Sequence, residues 1–169
     1  SDFDTLGPSK GDFYMSQYHL ARSKCIDLEE MHRQLADYNV NWSELKRLVR
    51  AYENYKSVRG KIDFTDMIEN FVQSDLCPDI DALFVDEAQD LSTLQWSMVD
   101  VLRKQPSIQV FTGDDDQAIY RWAGASVEHF LSLPGVSDHL LKSYRIPKSV
   151  HRVADRIVGR IKNRRRKPY

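Results

Sequence analysis

Two short apolar runs in the middle of the chain each end at a group of carboxylates. The first covers residues 82–85 and is followed at once by Asp86 and Glu87. The second covers residues 108–112 and is followed by Gly113 and then by three aspartates at 114–116. Such runs predict buried strands of a parallel sheet, and open α/β sheets bind ligands at the carboxyl ends of their strands. The pattern therefore predicts an α/β fold with a site at these strand ends.

Helical periodicity dominates the chain before the first strand. Leu45, Leu48 and Tyr52 recur at helical spacing and form one apolar stripe, which Gly60 ends. Asp63 resembles the cap of a further amphipathic helix that leads to the first strand. We therefore expect a mostly helical segment up to about residue 74.

Further elements are predicted after the first strand. Ser92 and Gln95 form a capping box before an amphipathic helix. Residues 139–142 predict a third short strand. Pro147 begins the last helix, where its missing N–H costs nothing. The apolar residues of that helix predict a buried stripe, and they are Val150, Val153, Ile157 and Ile161.

Charge is segregated along a chain of 169 residues whose net charge is only -1. Residues 79–116 carry nine acidic side chains and two basic ones, whereas residues 145–167 carry ten basic side chains and one acidic one. This segregation suits a protein that handles a magnesium nucleotide and a polyanion together. Residues 162–167 alone are equally typical of a frayed basic tail at the end of a solvated helix. The sequence shows no apolar run of membrane-spanning length and no signal peptide, so we expect a cytoplasmic protein without membrane contact.

Adjacent carboxylates at a strand end suit the hydrolysis of a phosphoanhydride. We expect Asp86 to hold Mg²⁺, because hard cations prefer oxygen ligands. We expect Glu87 to orient or deprotonate the attacking water. Neighbouring residues at the end of a strand point to different sides, so both carboxylates can serve one nucleotide.

Three segments carry a combination of residues that is more specific than the carboxylate pair. They are Val85-Asp86-Glu87-Ala88-Gln89-Asp90, Gly113-Asp114-Asp115-Asp116-Gln117-Ala118-Ile119-Tyr120 and Ser143-Tyr144-Arg145. Their order and spacing resemble motifs II, III and IV of superfamily 1 DNA helicases of the UvrD/Rep type. The resemblance implies a partial RecA-like parallel sheet flanked by helices. It also implies a helical insertion-type subdomain over residues 1–60, the C-terminal part of a first motor domain over 61–146, and a basic helix over 147–169.

The resemblance also implies how individual residues act on ATP and Mg²⁺. Asp86 would be the Mg²⁺ carboxylate and Glu87 the general base. Gln117 would sense the γ-phosphate and link it to the DNA site. Tyr144 would stack on adenine, and Arg145 would stabilise charge that develops on the transferred phosphoryl group. The alternative for the last two is a core tyrosine beside a surface arginine.

Tyr120 and Trp122 are the candidates for contact with single-stranded DNA. Two aromatic residues one position apart, just after a polar turn, predict a surface on which bases stack. Alternatively, one or both fill the core. The family usually has glycine where this chain has Arg121, and arginine where this chain has Ala123. We therefore transfer the role of that arginine to neither position.

A phosphate-binding loop of the form Gly-x-x-x-x-Gly-Lys-[Ser/Thr], which an ATP-driven motor needs, is missing from the sequence. The helicase motifs that follow motif IV are missing as well. We expect the chain to be an internal fragment of a longer helicase that does not hydrolyse ATP by itself. Without the strand of the phosphate loop, the sheet would keep an exposed edge that is available for self-association.

Two other classes of function compete with a helicase motor. The first is a non-catalytic module that holds single-stranded nucleic acid or a partner protein, although a pure binder does not need both Asp86 and Glu87. The second is a metal-dependent nuclease that uses Asp86 together with the aspartates Asp114, Asp115 and Asp116. A nuclease would normally place a lysine or histidine beside these carboxylates, and the sequence has none near them.

Overall fold

The computed structural model describes residues 9–161 apart from Asn39, Leu141 and Ser143. The elements of this part are α1 (Lys10–Ser23), α2 (Leu28–Gln34), α3 (Trp42–Arg59), α4 (Phe64–Ser74), β1 (Ala82–Val85), α5 (Thr93–Leu102), β2 (Ile108–Phe111), α6 (Val127–Leu131) and α7 (Lys148–Val158). Short 3₁₀ turns cover Ala36–Tyr38, Ala88–Asp90, Asp115–Gln117 and Tyr120–Ala123. β1 and β2 pair in parallel. The predicted α/β fold class is therefore confirmed, while its RecA-like details stay a prediction.

The chain divides into two compact units. The first comprises Ser1–Leu83 and Ser92–Gln109, and the second comprises Phe84–Leu91 and Val110–Tyr169. Helices α1 to α5 belong to the first unit, α6 and α7 belong to the second, and each strand contributes residues to both.

Local capping chemistry fixes where the helices of the first unit begin and end. Asn41 caps α3 by accepting a hydrogen bond from the Glu44 backbone N–H at 3.0 Å. Ser92 and Gln95 form the predicted capping box at the start of α5. Gly60 ends α3 with a φ of 57°, a left-handed conformation that glycine adopts without steric cost. The boundaries at Ser92 and Gly60 confirm the sequence predictions.

A small apolar core joins α1 and α2 within the first unit. Ala21, Met31 and Leu35 are buried together. The buried Tyr14 of α1 accepts a hydrogen bond from the Asn41 backbone N–H at 3.1 Å. This hydroxyl therefore ties α1 to the beginning of α3.

Two cations and three carboxylates form a partly buried network between α1, α3 and α4. Arg22 Nη2 lies 2.6 Å from both Asp66 Oδ1 and Glu69 Oε2. Arg22 Nη1 lies 3.1 Å from Asp63 Oδ2. Lys56 Nζ lies 3.0 Å from Asp63 Oδ2 and 2.8 Å from Asp66 Oδ1. Because side chains from three helices meet here, the network holds these helices in one arrangement.

Asp63 is the point at which a helix cap and this network coincide. It forms a capping box with Asp66 at the start of α4. Burial by itself would raise the pKa of Asp63, but hydrogen bonds from the Asp66 N–H, Lys56 and Tyr52, together with the Arg22 charge, outweigh it and hold that pKa well below its ordinary value. The ionised carboxylate therefore stabilises the native state.

The predicted burial of the two strands is wrong, because no residue of β1 or β2 is buried. Phe84 is 71% exposed, and Ile108 and Val110 are also exposed. A parallel sheet normally has both faces covered, but the residues that the structure describes bury neither strand.

Two predictions for the second unit also need correction. His139, Leu140 and Lys142 form no strand, and Leu141 lies outside the described residues. A strand needs a paired neighbour, and this stretch has none within the described chain. Leu140 is accordingly 96% exposed. The predicted buried stripe of α7 is exposed too, by 41% to 62%, so no described surface covers it. It comprises Val150, Val153 and Ile157 of α7 and Ile161, which lies beyond the end of α7.

Among the described residues, no helix combines the length and the hydrophobicity of a membrane-spanning segment. The predicted basic tail at 162–167 lies outside the described residues.

We predict that Asp63→Asn lowers the free energy of unfolding of the 169-residue chain by about 2–3 kcal/mol at pH 7, because the variant leaves two cations partly unpaired and weakens a helix cap. Urea unfolding followed by circular dichroism measures this change.

The difference between wild type and Asp63→Asn should shrink as the pH falls below 3.8, the ordinary pKa of an aspartate. A lowered native pKa stabilises the protein above the unfolded value, and that stabilisation is lost as the native carboxyl protonates. Asp79→Asn, on an exposed loop, is the matched control and should change the stability by less than about 0.5 kcal/mol. Equal effects of both substitutions would contradict the role of the network.

Candidate active site

The register of the two strands brings their carboxyl ends together in the second unit. The Thr112 N–H donates to the Val85 carbonyl at 2.8 Å, and the Ala88 N–H donates to the Thr112 carbonyl at 2.9 Å. Thr112 is therefore fixed between two backbone positions that flank Asp86 and Glu87.

Asp86 is exposed at the end of β1, and its Oδ1 accepts two hydrogen bonds. One comes from the Thr112 hydroxyl and the other from the Glu87 backbone N–H at 2.9 Å. These two hydrogen bonds, that of Thr112 foremost, lower the pKa of Asp86. An exposed, ionised carboxylate fits a Mg²⁺ ion that keeps most of its waters and binds substrate phosphates, because proteins hold such ions with one or two carboxylates.

Glu87 has a left-handed backbone conformation, with a φ of 50° and a ψ of 39°. A residue with a side chain rarely adopts this conformation, which costs on the order of 1–3 kcal/mol. This conformation directs the chain from β1 into the 3₁₀ turn at Ala88–Asp90. The Asp90 N–H donates to the Glu87 carbonyl at 2.9 Å. The Glu87 carboxylate remains exposed and accepts a hydrogen bond from Gln89 Nε2 at 2.8 Å.

Gln89 contacts the candidate site residue Glu87, and the sequence reasoning missed it. Its side chain is 1% exposed, and its Oε1 accepts a hydrogen bond from the Asp114 backbone N–H at 3.0 Å. The sequence offers one signal for it, namely an amide among carboxylates directly after a strand. Periodicity alone could not separate this buried amide from the exposed residues beside it.

Gly113 gives Gln89 the space that it occupies. A methyl group at Gly113 would lie 2.5 Å from Gln89 Oε1 and 3.1 Å from Phe130 Cζ. The first distance is shorter than any ordinary contact, so a side chain at Gly113 would push the Gln89 amide away from its partners.

Asp114 organises the loop after β2. Its Oδ1 accepts a hydrogen bond from the Asp116 N–H at 3.1 Å, and its Oδ2 accepts one from Gln117 Nε2 at 2.6 Å. This carboxylate therefore caps the 3₁₀ turn that holds Asp115, which is buried, and Gln117, which is exposed. No group of three or more His, Cys, Asp or Glu side chains in the described part is arranged to hold a metal ion.

Asp90 has a different environment from Asp86. Its Oδ1 is buried and has no hydrogen-bond partner among the described residues. Burial raises the pKa of Asp90, and the nearby Glu87 carboxylate raises it further. In the second unit, the surroundings of Asp86 therefore favour its ionised form, whereas those of Asp90 oppose it.

Tyr120 and Trp122 lie next to each other on an exposed 3₁₀ turn. Their ring centroids are 6.5 Å apart, and the side chains are 45% and 75% exposed. The alternative that Trp122 fills the core is therefore wrong for the described chain. Arg121 between them forms an ion pair with Glu128 of α6 at 2.8 Å.

Hydrogen bonds connect Glu87 with Gln117 through Gln89 and Asp114.

Tyr144 and Arg145 are both exposed on the segment before α7, and Lys142 Nζ lies 4.8 Å from the centroid of the Tyr144 ring. The alternative of a core tyrosine is therefore wrong. The predicted roles of this pair toward ATP stay predictions.

The sequence matches the family described as the UvrD/REP helicase N-terminal domain over residues 12–135. The ATP-dependent DNA helicase srs2 of Schizosaccharomyces pombe is 28% identical over 150 residues, which are 83% of this chain and 16% of that protein. The ATP-dependent DNA helicase Rep of Buchnera aphidicola is 29% identical over 127 residues, which are 67% of this chain and 19% of that protein.

A third relative, the ATP-dependent DNA helicase PcrA of Bacillus subtilis, is 32% identical over 120 residues, which are 63% of this chain and 16% of that protein. The chain thus spans less than a fifth of the length of these three relatives.

We predict that Asp90→Asn raises the free energy of unfolding by roughly 0.5–1 kcal/mol at pH 8, because it removes a partly buried charge that Glu87 repels. A native pKa above the ordinary value of 3.8 means that the penalty is absent below that pH and grows as the native carboxyl ionises. The gain should therefore vanish near pH 3. Thermal melting at both pH values, with the exposed Asp81→Asn as control, measures the effect, and equal melting temperatures at pH 8 would contradict it.

Proposed function

The chain belongs to the UvrD/REP helicase N-terminal domain family, and from this membership we propose that it forms part of an ATP-dependent DNA helicase. In this proposal the whole protein couples the hydrolysis of Mg-ATP to movement along single-stranded DNA. The observation that carries it is the pair Asp86 and Glu87 at the end of β1, where one carboxylate is kept ionised and the other is held by a buried amide. The division into residues 1–60, 61–146 and 147–169 stays part of the proposal.

The chemistry that we assign to this pair follows from what each carboxylate contacts. Mg²⁺, when bound at Asp86, would neutralise phosphate charge and orient the phosphates. Thr112 holds Asp86 in place through its hydroxyl. The exposed Glu87 carboxylate accepts a proton from the attacking water or orients it.

Three further residues complete the proposed mechanism. Gln117 is exposed and oriented by Asp114, which suits a side chain that reads the γ-phosphate. Arg145 is assigned to the charge that develops on the transferred phosphoryl group. Tyr144, which is 86% exposed, has a ring face available for adenine.

Single-stranded DNA is the proposed polymer substrate, and the exposed rings of Tyr120 and Trp122 are its proposed stacking surface. Stacking depends little on base identity, which is what a protein that moves along any sequence requires. The exposed arginines Arg152, Arg156 and Arg160, which repeat every fourth residue from α7 onward, are the proposed phosphate contacts. They should make binding weaker as salt rises.

A non-catalytic module that binds single-stranded nucleic acid or a partner protein is the second candidate. The specific observation in its favour is that the exposed aromatic pair would serve such a module equally well. Self-association through an exposed edge of the sheet also stays a proposal.

We expect the natural polypeptide that contains these 169 residues to hydrolyse ATP, with faster turnover when single-stranded DNA is present. Glu87→Gln should lower kcat by at least about 100-fold, because it removes the group that accepts the proton. Glu29→Gln, on the exposed start of α2, is the matched control and should keep kcat within about twofold. Absence of turnover in the wild type, with oligonucleotide binding intact, would favour the binding module.

We predict that Trp122→Ala weakens the binding of oligothymidylate by roughly 5- to 150-fold, which corresponds to about 1–3 kcal/mol for one stacked base. The melting temperature should change little, because the ring is 75% exposed. Trp122→Phe keeps an aromatic face and should recover most of the affinity, while Val136→Ala at a fully exposed position controls for loss of apolar surface. A fall in melting temperature with unchanged affinity would refute the stacking role.

A further inference from the structure

Three hydrogen bonds connect the proposed general base with the proposed γ-phosphate sensor. Gln89 Nε2 donates to Glu87 Oε2 at 2.8 Å, and Gln89 Oε1 accepts from the Asp114 N–H at 3.0 Å. Asp114 Oδ2 then accepts from Gln117 Nε2 at 2.6 Å. The connection runs from the end of β1 to the turn after β2.

The chemistry of its two partners fixes the orientation of the Gln89 amide. An ionised carboxylate only accepts hydrogen bonds and a backbone N–H only donates them. The NH₂ group must therefore face Glu87 and the oxygen must face Asp114. Neither a methionine nor an ionised glutamate of similar length could satisfy both partners.

Burial restricts the bridge that Gln89 forms between Glu87 and Asp114 to one arrangement. Gln89 is 1% exposed and follows Ala88, which is fully buried, and Gly113 leaves just enough room for the amide oxygen. A buried amide that loses a partner pays the full cost of its desolvation, so Gln89 has a strong preference for this one arrangement. The exposed carboxylate of Glu87 gains a fixed neighbour that way.

We propose that Gln89 is a positioning residue, which holds the Glu87 carboxylate at a fixed place relative to the loop that carries Asp114 and Gln117. The residue that acts on water and the residue that reads the γ-phosphate then move together. This inference rests on the proposed ATP hydrolysis and adds to it the side chain that coordinates the two loops.

Two substitutions at Gln89 separate the two ends of the bridge. Gln89→Glu keeps an oxygen for the Asp114 N–H but loses the donor and faces Glu87 with a second carboxylate. Gln89→Met keeps the length and loses both hydrogen bonds. Gly113→Ala is a third variant, which displaces the Gln89 side-chain amide without substituting Gln89 itself. Gln73→Glu and Gln73→Met, at an exposed position of α4, are the matched controls.

Hydrogen exchange of the Asp114 amide in the 169-residue chain tests the bridge without reference to catalysis. Exchange should become about tenfold faster in Gln89→Met and in Gly113→Ala, and should stay within about threefold of wild type in Gln89→Glu. If the Asp114 amide exchanged at the wild-type rate in all three variants, the bridge would be overturned. If Gln89→Met does not fold, Gly113→Ala and Gln89→Glu carry the same comparison.

Steady-state kinetics of the natural polypeptide, with saturating oligothymidylate, tests the positioning role. Gln89→Glu and Gln89→Met should lower kcat by about 10- to 100-fold while the KM for ATP stays within about twofold, a separation that general loss of structure would not produce. In the Glu87→Gln background, Gln89→Met should lower single-turnover rates by less than about twofold, because the two residues act as a unit.

The outcomes separate this inference from the function on which it rests. Wild-type turnover that Glu87→Gln abolishes and Gln89→Glu leaves intact would overturn the positioning role alone. Absence of wild-type turnover would overturn the proposed function and this role with it, whatever the exchange of Asp114 shows.

Discussion

The pairing of Thr112 with the backbone of Val85 and Ala88 is the constraint from which the geometry of the second unit follows. It sets the register between the two strand ends, and a slip of one residue would turn every side chain to the opposite face. In the observed register the Thr112 hydroxyl meets Asp86, and the Asp114 N–H meets Gln89. One short stretch of parallel pairing thus positions both carboxylates of the candidate site.

The carboxylates of the two units have different hydrogen-bond and ion-pair partners. In the first, Arg22 and Lys56 neutralise the carboxylates of Asp63 and Asp66, and the result is a helix arrangement that depends on ionised groups. In the second, Asp86 and Glu87 stay exposed and are oriented by a hydroxyl and an amide rather than by cations. Carboxylates without cationic partners keep their capacity for a metal ion and a proton, whereas paired ones do not.

Local chemistry could be predicted from the sequence, and long-range burial could not. The caps at Asp63, Ser92 and Gly60 and the limits of β1 depend on neighbouring residues, which the sequence displays directly. The exposure of Phe84 depends on which layer lies over the sheet, and no pattern within the strand contains that information.

The same distinction explains the outcome at the candidate site and in the helices. The position of Asp86 and Glu87 after a strand could be predicted, because the residue pattern is local, while their roles stay a prediction. Gln89 was missed because its partner Asp114 is 25 residues away. In α5, Trp96 is 1% exposed, because packing rather than periodicity decides which large side chain fills a core.

The left-handed backbone at Glu87 sets this residue apart from the two other side-chain-bearing residues with positive φ in the described part, Cys25 and Asp75. Asp75 ends α4 and Cys25 follows the end of α1, and a single left-handed residue is common where a helix stops. Glu87 follows a strand instead, so its conformation is a local conflict between residue type and fold. Such frustration is unfavourable for folding and persists only where the surroundings enforce it. The chain thus accepts a small loss of foldability at the position where its proposed chemistry takes place.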